Sequence, residues 1–248
     1  MNSYTAGIIV IGDEILSGRT QDSNSNFIAK NLIKEGIKLE EIVVIKDNKK
    51  TIIDRVLNYS SKYSYVFTTG GIGPTHDDIT SESISEAFNL KYVINEDAFN
   101  ILEKYYPKGE FNESRQRMAK MPTGSELLLN PMTAAPGFRI KNVYVLPGVP
   151  EIMQIMFLEL IKKIKKGKPK LEITINTDLY ESKIAIYLKE IQGKYKNSSI
   201  GSYPYFNLVA KTGGVNIVVS SWDMTSLQPV VDDIVHMINL NGGKSSIV

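Results

Sequence analysis

Two adjacent carboxylates behind a glycine-rich loop are the side chains of this sequence best placed for chemistry. The segment "TTGGIGPTHDDIT", residues 68–80, follows an apolar run and carries Gly70, Gly71 and Gly73 ahead of Asp77 and Asp78. Glycine adopts backbone angles closed to other residues and lets main-chain N–H groups approach an anion closely. The segment therefore predicts a phosphate cradle. Its predicted members are Thr69, Gly70, Gly71, Gly73, Pro74 and Thr75.

The same segment also predicts a metal site. A helix is expected to begin near Pro74, where its dipole would lower the pKa of Asp77 and Asp78 and attract phosphate. Two carboxylates beside a phosphate repel it unless a divalent cation lies between them. Magnesium binds through a few carboxylates plus substrate phosphates, so Asp77 and Asp78 are the predicted ligands. The loop alone leaves equally open that the glycines form a tight turn and that Thr75 and the aspartates cap a helix.

Other polar side chains are expected near this loop. Asp13 and Glu14 end the first apolar run, and they are candidates for the base that accepts a proton from an attacking water. Asn24 offers an amide for ligand binding, although helix capping is the favoured interpretation of Asn24 taken by itself. "LPGVPE", residues 146–151, brings Gly148 close for backbone contact with a ligand. Arg115 could clamp a phosphate with paired hydrogen bonds, although exposed helix arginines are usually only solvated.

Strands that alternate with helices must position these loops. "AGIIVIG", residues 6–12, is a continuous apolar run typical of a strand buried on both faces. A helical pattern follows at residues 23–37, then a strand at 38–46, a helix at 48–62 and a strand at 63–71. This alternation predicts an α/β fold with a mostly parallel sheet covered on both faces. Ligands of such sheets bind at the carboxyl ends of the strands, where the polar loops lie.

A second, smaller domain is predicted after a helix that ends in lysines. Gly167 and Pro169 stop that helix, which sets the expected boundary between domain 1–166 and domain 167–248. Strand patterns at 171–176, 199–204 and 214–222 and helical patterns at 181–195 and 225–240 predict a small α+β domain.

Composition limits the partners and cofactors. Among 248 residues, 29 are basic and 27 acidic, so no polyanion partner such as nucleic acid is expected. There is no cysteine and there are only two histidines, which excludes a disulfide framework and argues against a zinc cluster. A metal would therefore be held by oxygen. No apolar segment approaches the roughly 18 residues of a membrane span, and the start lacks a basic leader. A cytoplasmic protein without membrane contact is expected.

The motifs together resemble the molybdopterin-binding (MoaB/MogA-like) domain family, in the form found at the N-terminus of CinA proteins (competence/damage-inducible protein A). The matching segments are "GDEILSG" with "DSN", "TTGGIGPTHDDIT", "NPMTAAPGF" and "LPGVP", in this order over about the first 160 residues. "GGIGPTHDD" and "RMA" are also similar to the N-terminal domain of eukaryotic FAD synthases. The C-terminal part resembles the KH-type middle domain of CinA but lacks the basic GxxG clamp, so RNA binding is not carried over.

The resemblance implies a three-layer α/β fold, an oxygen-ligated divalent cation (magnesium, manganese or cobalt) and a small phosphorylated ligand such as ADP-ribose, FAD or molybdopterin. It also implies that the glycine loop holds phosphate, that Asp78 with Asp77 binds the metal, and that a homo-oligomer forms. Two positions depart from the family pattern. Thr133 replaces a glycine, and Ile152 replaces a glutamate, which puts any catalytic role of that carboxylate in doubt.

The leading hypothesis from the sequence is a metal-dependent pyrophosphatase that acts on a nucleotide diphosphate such as ADP-ribose or FAD. Its catalytic residues would be Asp13, Glu14 and Asp78. The alternative is a module that binds molybdopterin or a nucleotide without turnover. Nucleotide transfer onto molybdopterin is a weaker third possibility, because the loops follow the CinA pattern.

Overall fold

The computed structural model describes residues 4–208 and 212–248 and divides the chain into two units, Met1–Gly167 and Lys168–Val248. The elements of the first unit are, in chain order, β1 (Tyr4–Ile11), α1 (Asp13–Leu16), α2 (Asn24–Lys34), β2 (Ile37–Ile45), α3 (Lys49–Lys62), β3 (Tyr65–Thr69), α4 (Thr80–Ala87), β4 (Tyr92–Ile94), α5 (Glu96–Tyr105), α6 (Glu113–Gln116), β5 (Lys120–Pro122), β6 (Glu126–Leu128), β7 (Gly137–Ile140), β8 (Val143–Leu146) and α7 (Pro150–Ile161). Within the described residues, no helix is both long and apolar enough to cross a membrane.

A six-stranded sheet in the order β2-β1-β3-β8-β7-β6 forms the frame of the first unit. β1 pairs in parallel with both β2 and β3, and β3 pairs in parallel with β8. Only β7 and β6, at one side, run antiparallel to their neighbours. The mostly parallel sheet expected from the sequence is confirmed, and the carboxyl ends of β1, β2, β3 and β8 lie along one edge.

Helices cover both faces of this sheet, as the apolar run of β1 predicts. Ile9 belongs to one buried cluster, which includes Val56 of α3. Ile8 belongs to a second cluster, which includes Leu32 of α2 and Phe157 of α7. Because successive side chains of a strand point to opposite faces, a strand buried on both sides needs a helix layer on each. The three-layer α/β architecture is therefore confirmed.

The helix expected near Pro74 begins six residues later, at Thr80. The reason is that residues 75–78 form a separate turn, which is closed by hydrogen bonds between its first and last residues. The Thr75 N–H donates to Asp78 Oδ2 at 2.8 Å, and the Asp78 N–H donates to the Thr75 carbonyl at 3.2 Å. The Thr80 N–H then donates to the Gly71 carbonyl at 2.9 Å, which anchors the helix start to the glycine loop. The predicted helix start was wrong, and the aspartates do not lie in a helical first turn.

The second unit is a small α+β domain, as predicted. Its elements are β9 (Leu171–Thr177), α8 (Glu181–Lys194), β10 (Ser198–Asn207), β11 (Thr212–Ser221), α9 (Leu227–Leu240) and β12 (Ser245–Ile247). The four strands form an antiparallel sheet in the order β10-β11-β9-β12. Apolar side chains of α8 and α9, such as Ile184 and Ile234, pack with Ile217 of β11 in its core.

Candidate functional site

A cleft of about 540 Å³ opens at the carboxyl edge of the large sheet. The loops that follow β1, β2, β3, β6 and β8 all contribute to its walls. Its lining includes Gly12, Glu14, Asp47, Gly70, Gly71, Gly73, Pro74, Asp77, Asp78, Asn130, Thr133, Gly148 and Ile152. The structure thus brings together most of the residues predicted from the sequence.

The glycine loop presents unused main-chain donors. Gly70 and Gly71 have φ angles of 102° and 67°, a region that favours glycine. The Gly70 N–H donates to the Leu146 carbonyl at 3.1 Å, so this glycine secures the loop to β8. Among the described residues, the N–H groups of Gly71, Ile72 and Gly73 donate to no acceptor. The loop therefore offers three free donors, and Gly70 is not one of them.

The two adjacent aspartates differ in their surroundings. Asp78 Oδ2 accepts hydrogen bonds from the Thr75 N–H at 2.8 Å and from the Thr75 hydroxyl at 2.5 Å. Thr75 hydrogen bonding is also the largest influence that lowers the pKa of Asp77. Asp77 and Asp78 precede the helix that starts at Thr80, so they do not lie in its first turn. Both carboxylates line the cleft.

Asp47, which the sequence reasoning missed, joins the acidic side of the cleft. Its Oδ2 accepts the Asp13 N–H at 3.0 Å. Burial is the largest cause that raises the pKa of Asp47, and the charges of Asp13, Glu14 and Asp77 raise it further. Asp47 follows β2, which lies beside β1 in parallel, so the rule that ligands gather at strand ends could have found it.

Asn24 holds two of the loops together rather than lining the cleft. Its Nδ2 donates to the Gly148 carbonyl at 2.8 Å, and its side chain is buried. Its backbone N–H donates to Asp22 Oδ1 at 2.9 Å, so Asp22 supplies the cap at this helix start. A β-carbon on Gly148 would lie 3.4 Å from the Gly70 α-carbon. The β8–α7 turn therefore contacts both the α2 start and the glycine loop.

The two positions that depart from the family pattern both line the cleft. Thr133 is bound into its loop, since Asn130 Nδ2 donates to the Thr133 hydroxyl at 2.6 Å and to the Ala135 carbonyl at 2.9 Å. Ile152, in the first turn of α7, contributes an apolar wall. The carboxylate of the family pattern is therefore replaced here by an aliphatic side chain, which can neither bind a cation nor accept a proton.

Several predicted site residues lie outside the cleft lining. Thr69 is buried at the end of β3, and Thr75 is exposed and bound to Asp78. Asp13 is exposed and reaches the site through its backbone N–H. Arg115 donates to Glu110 Oε2 at 3.1 Å and lies 4.2 Å from the centroid of the Tyr106 ring. Arg115 is therefore engaged within its own segment.

The donor set of the cleft suits a hard cation. All the ionisable side chains among its described lining residues are carboxylates. Burial first, and then the charges of neighbouring carboxylates, raise the pKa of Asp47, and a cation would offset the second of these effects. Within residues 4–208 and 212–248, no group of three or more Asp, Glu, His or Cys side chains is close enough to hold a metal alone. A cation here would complete its shell with water or ligand phosphate, as magnesium commonly does.

Family comparisons match both units. Residues 7–166 match the family model described as "Probable molybdopterin binding domain", and residues 169–242 match the one described as "FAD synthase, middle domain". A protein of Archaeoglobus fulgidus is 34% identical over 232 residues, which cover 94% of this chain and 97% of that protein.

Named relatives and a solved structure agree with these matches. A "CinA-like protein" of Sulfurihydrogenibium is 36% identical over 66% of this chain, and a "Probable FAD synthase" of Caenorhabditis elegans is 34% identical over 81% of it. The matches span 43% and 44% of those two longer proteins. The crystal structure of CinA from Thermoplasma acidophilum matches 65% of this chain and 98% of its own with a TM-score of 0.62 and 32% identity. This chain therefore belongs to the molybdopterin-binding (MoaB/MogA-like) domain family, and it joins that domain to one of the FAD synthase middle-domain type.

Proposed function

We propose that this protein hydrolyses the pyrophosphate bond of a nucleotide diphosphate such as ADP-ribose or FAD, with a divalent cation. The observation that carries the proposal is the lining of one cleft. Three unused N–H donors of the glycine loop and the carboxylates of Glu14, Asp47, Asp77 and Asp78 share it. Donors for a phosphate next to several carboxylates suit a ligand that brings its phosphates together with a cation.

The relatives support the class of substrate. One is named a CinA-like protein and another a probable FAD synthase, and the second domain matches the FAD synthase middle domain. An FAD synthase makes a compound with a pyrophosphate bond, so a related domain that handles such a bond is chemically reasonable. The likeness supports the ligand class more strongly than the reaction.

In the proposed reaction, water forms a bond to one phosphorus while the bond from that phosphorus to the bridging oxygen breaks. ADP-ribose would thus give AMP and ribose 5-phosphate. The N–H groups of Gly71 and Gly73 would donate to phosphate oxygens as negative charge develops on them. Glu14 would accept the proton of the attacking water. The Asp13 N–H would hold Asp47 in place through its hydrogen bond to Oδ2. When bound by Asp77 and Asp78, the cation would neutralise phosphate charge and lower the pKa of the water.

A second candidate function is binding without turnover, with molybdopterin or a nucleotide as the ligand. The observation that favours it is Ile152 in the cleft wall, where the family pattern has a glutamate. If that carboxylate is needed for turnover in relatives, this cleft would keep the ligand site and lose the reaction.

The test is release of AMP by the purified protein from ADP-ribose, FAD and NAD, with and without magnesium, manganese or cobalt. We expect metal-dependent AMP from at least one of them. Asp78→Asn should lower the rate by about a hundredfold or more, because removal of one group that stabilises the charge of the transition state commonly lowers the rate by this factor. Asp54→Asn is the matched control, because Asp54 is exposed on α3 and outside the cleft.

The outcomes separate the two candidates. AMP release by wild type and by Asp54→Asn, but not by Asp78→Asn, supports the hydrolase. No AMP from any substrate with folded protein refutes it, and molybdopterin and nucleotide binding would then be measured by calorimetry. Equal turnover by wild type and Asp78→Asn would refute the role given to Asp78.

A further inference from the structure

A second cavity of about 510 Å³ lies in the first unit and shares no lining residue with the cleft. Tyr65 of β3 and Tyr144 of β8 contribute aromatic rings to it. Met156 and Leu160 of α7 and Leu128 of β6 contribute aliphatic walls. Its volume is in the range of pockets that hold small organic molecules, and mostly apolar walls with a few polar groups are typical of such pockets.

The Tyr144 hydroxyl is the unexplained polar group of this cavity. Tyr144 is only 4% exposed, and its hydroxyl makes no hydrogen bond with any residue in 4–208 or 212–248. Its oxygen is not sealed from solvent, so it opens into the cavity that Tyr144 lines. The other tyrosine is satisfied, since the Tyr65 hydroxyl donates to the Lys165 carbonyl at 3.0 Å. The Tyr144 hydroxyl is therefore an open hydrogen-bonding group in the cavity wall, which a ligand or water can complete.

The protonation state of this hydroxyl makes it a donor. Burial is the largest cause that raises the pKa of Tyr144 above its usual value. The phenol is therefore neutral at physiological pH and can donate to an acceptor in the cavity. The Arg139 guanidinium lies over the Tyr144 ring, 5.5 Å from its centroid.

The charges around the cavity favour an anion. Both carboxylates in its lining are already paired. Glu126 contacts Arg139 at 3.0 Å, and Glu159 contacts Lys162 at 2.6 Å. Two lysines of the lining, Lys163 and Lys165, form no ion pair within the part of the chain that the structure describes. The unpaired charge at the rim is therefore positive.

We propose that this cavity is a second ligand site, which binds a small planar aromatic molecule that carries an anionic group. The rings of Tyr65 and Tyr144 and the thioether of Met156 provide surfaces on which a flat ring packs favourably. The Tyr144 hydroxyl donates to a polar atom of the ligand, and Lys163 and Lys165 attract its anionic group. This site does not depend on the reaction proposed for the cleft.

The test uses anilinonaphthalene sulfonate, an aromatic anion whose fluorescence rises in apolar sites, with phenylnaphthylamine as its uncharged counterpart. We expect saturable binding of one anion per chain to the natively folded protein. Tyr144→Phe keeps the ring and should weaken binding about three- to tenfold, as loss of one hydrogen bond implies. Lys163→Gln with Lys165→Gln should weaken it about two- to tenfold, and less at high salt.

Matched controls locate the site. Lys50→Gln removes an exposed lysine of α3, and Tyr105→Phe removes an exposed hydroxyl of α5, both outside the cavity. Both controls and Asp78→Asn should bind the anion as wild type does. The proposal is overturned if Tyr144→Phe and the double lysine variant bind with unchanged affinity, or if the uncharged compound binds as tightly as the anion. It is also overturned if Asp78→Asn strengthens binding, because loss of a repelling carboxylate would then place the anion in the cleft.

Discussion

Asn24 Nδ2 donates to the Gly148 carbonyl at 2.8 Å, and this bond joins the start of α2 to the turn between β8 and α7. The turn between β8 and α7 also lies against Gly70 of the glycine loop, so these three loops around the cleft are connected. A ligand site built from several loops needs such connections, because each loop alone is free to move.

Asn24→Ala should lower the free energy of unfolding by about 1 kcal/mol. The substitution removes the hydrogen bond that the buried Asn24 amide donates to the Gly148 carbonyl, and loss of one such bond costs about this much. Urea denaturation measures the change. Asn26→Ala is the control, since Asn26 is exposed two residues further along α2 and should change stability by less than about 0.5 kcal/mol. Equal effects of the two variants would contradict the structural role given to Asn24.

Gly71→Ala should distort the glycine loop. Gly71 has φ of 67°, and a β-carbon there would collide with the Thr80 side chain. Gly124→Ala isolates the cost of the positive φ angle, because Gly124 has φ of 81° and, among the described residues, no atom lies within 4 Å of the position its β-carbon would take. We expect Gly71→Ala to cost about 1–3 kcal/mol more than Gly124→Ala in urea denaturation. A difference near zero would show that the loop yields without strain, against the close packing described.

Divalent cations should stabilise the wild-type protein through the cleft. Manganese or magnesium that binds the folded state raises the melting temperature in a concentration-dependent way. Asp77→Asn and Asp78→Asn should each raise the apparent dissociation constant of manganese about tenfold or more, whereas Asp54→Asn should not. Calorimetric titration without substrate measures this. Wild-type affinity in both cleft variants would place the cation elsewhere and end the metal assignment.

Glu41 should make the stability of the protein depend on pH in the acidic range. Its carboxylate accepts the Tyr63 hydroxyl at 2.6 Å and contacts Lys62 at 3.0 Å, and these bonds lower its pKa from 4.5 to about 2. A lowered pKa in the folded state contributes stability that is present above about pH 4.5 and is lost as the pH falls toward 2. Glu41→Gln should therefore have a lower melting temperature than wild type at pH 7. The difference between the two melting temperatures should shrink as the pH falls through this range.

The control for Glu41 is its neighbour on β2. Glu40 contacts Lys38 at 2.9 Å, but this is a single surface ion pair without a tyrosine hydroxyl. The melting temperature of Glu40→Gln should differ little from that of wild type, and the difference should depend little on pH. A difference in melting temperature between wild type and Glu41→Gln that stays constant from pH 7 to pH 3 would contradict the prediction. The stabilisation would then not depend on the charge of Glu41.

Much of the fold could be predicted from local patterns in the sequence. The apolar run of β1 requires burial on both faces, and the alternation of strands and helices requires a parallel sheet between two helix layers. Glycines directly after β3 and acidic residues directly after β1 then had to meet at one edge. These features depend on residues close in sequence, which is why periodicity and loop composition revealed them.

Tertiary structure alone decided which side chains line the cleft and in what chemical state. Thr75 and Asp78 form hydrogen bonds with each other, and the helix starts at Thr80, so the aspartates lie before the helix rather than in its first turn. Asp47 enters the site because β2 and β1 are adjacent, and burial raises its pKa. Arg115 turns to Glu110, and Tyr144 faces a separate cavity. Hydrogen-bond partners and burial arise between residues far apart in the chain, so local sequence could determine the loops but not the contacts that define the site.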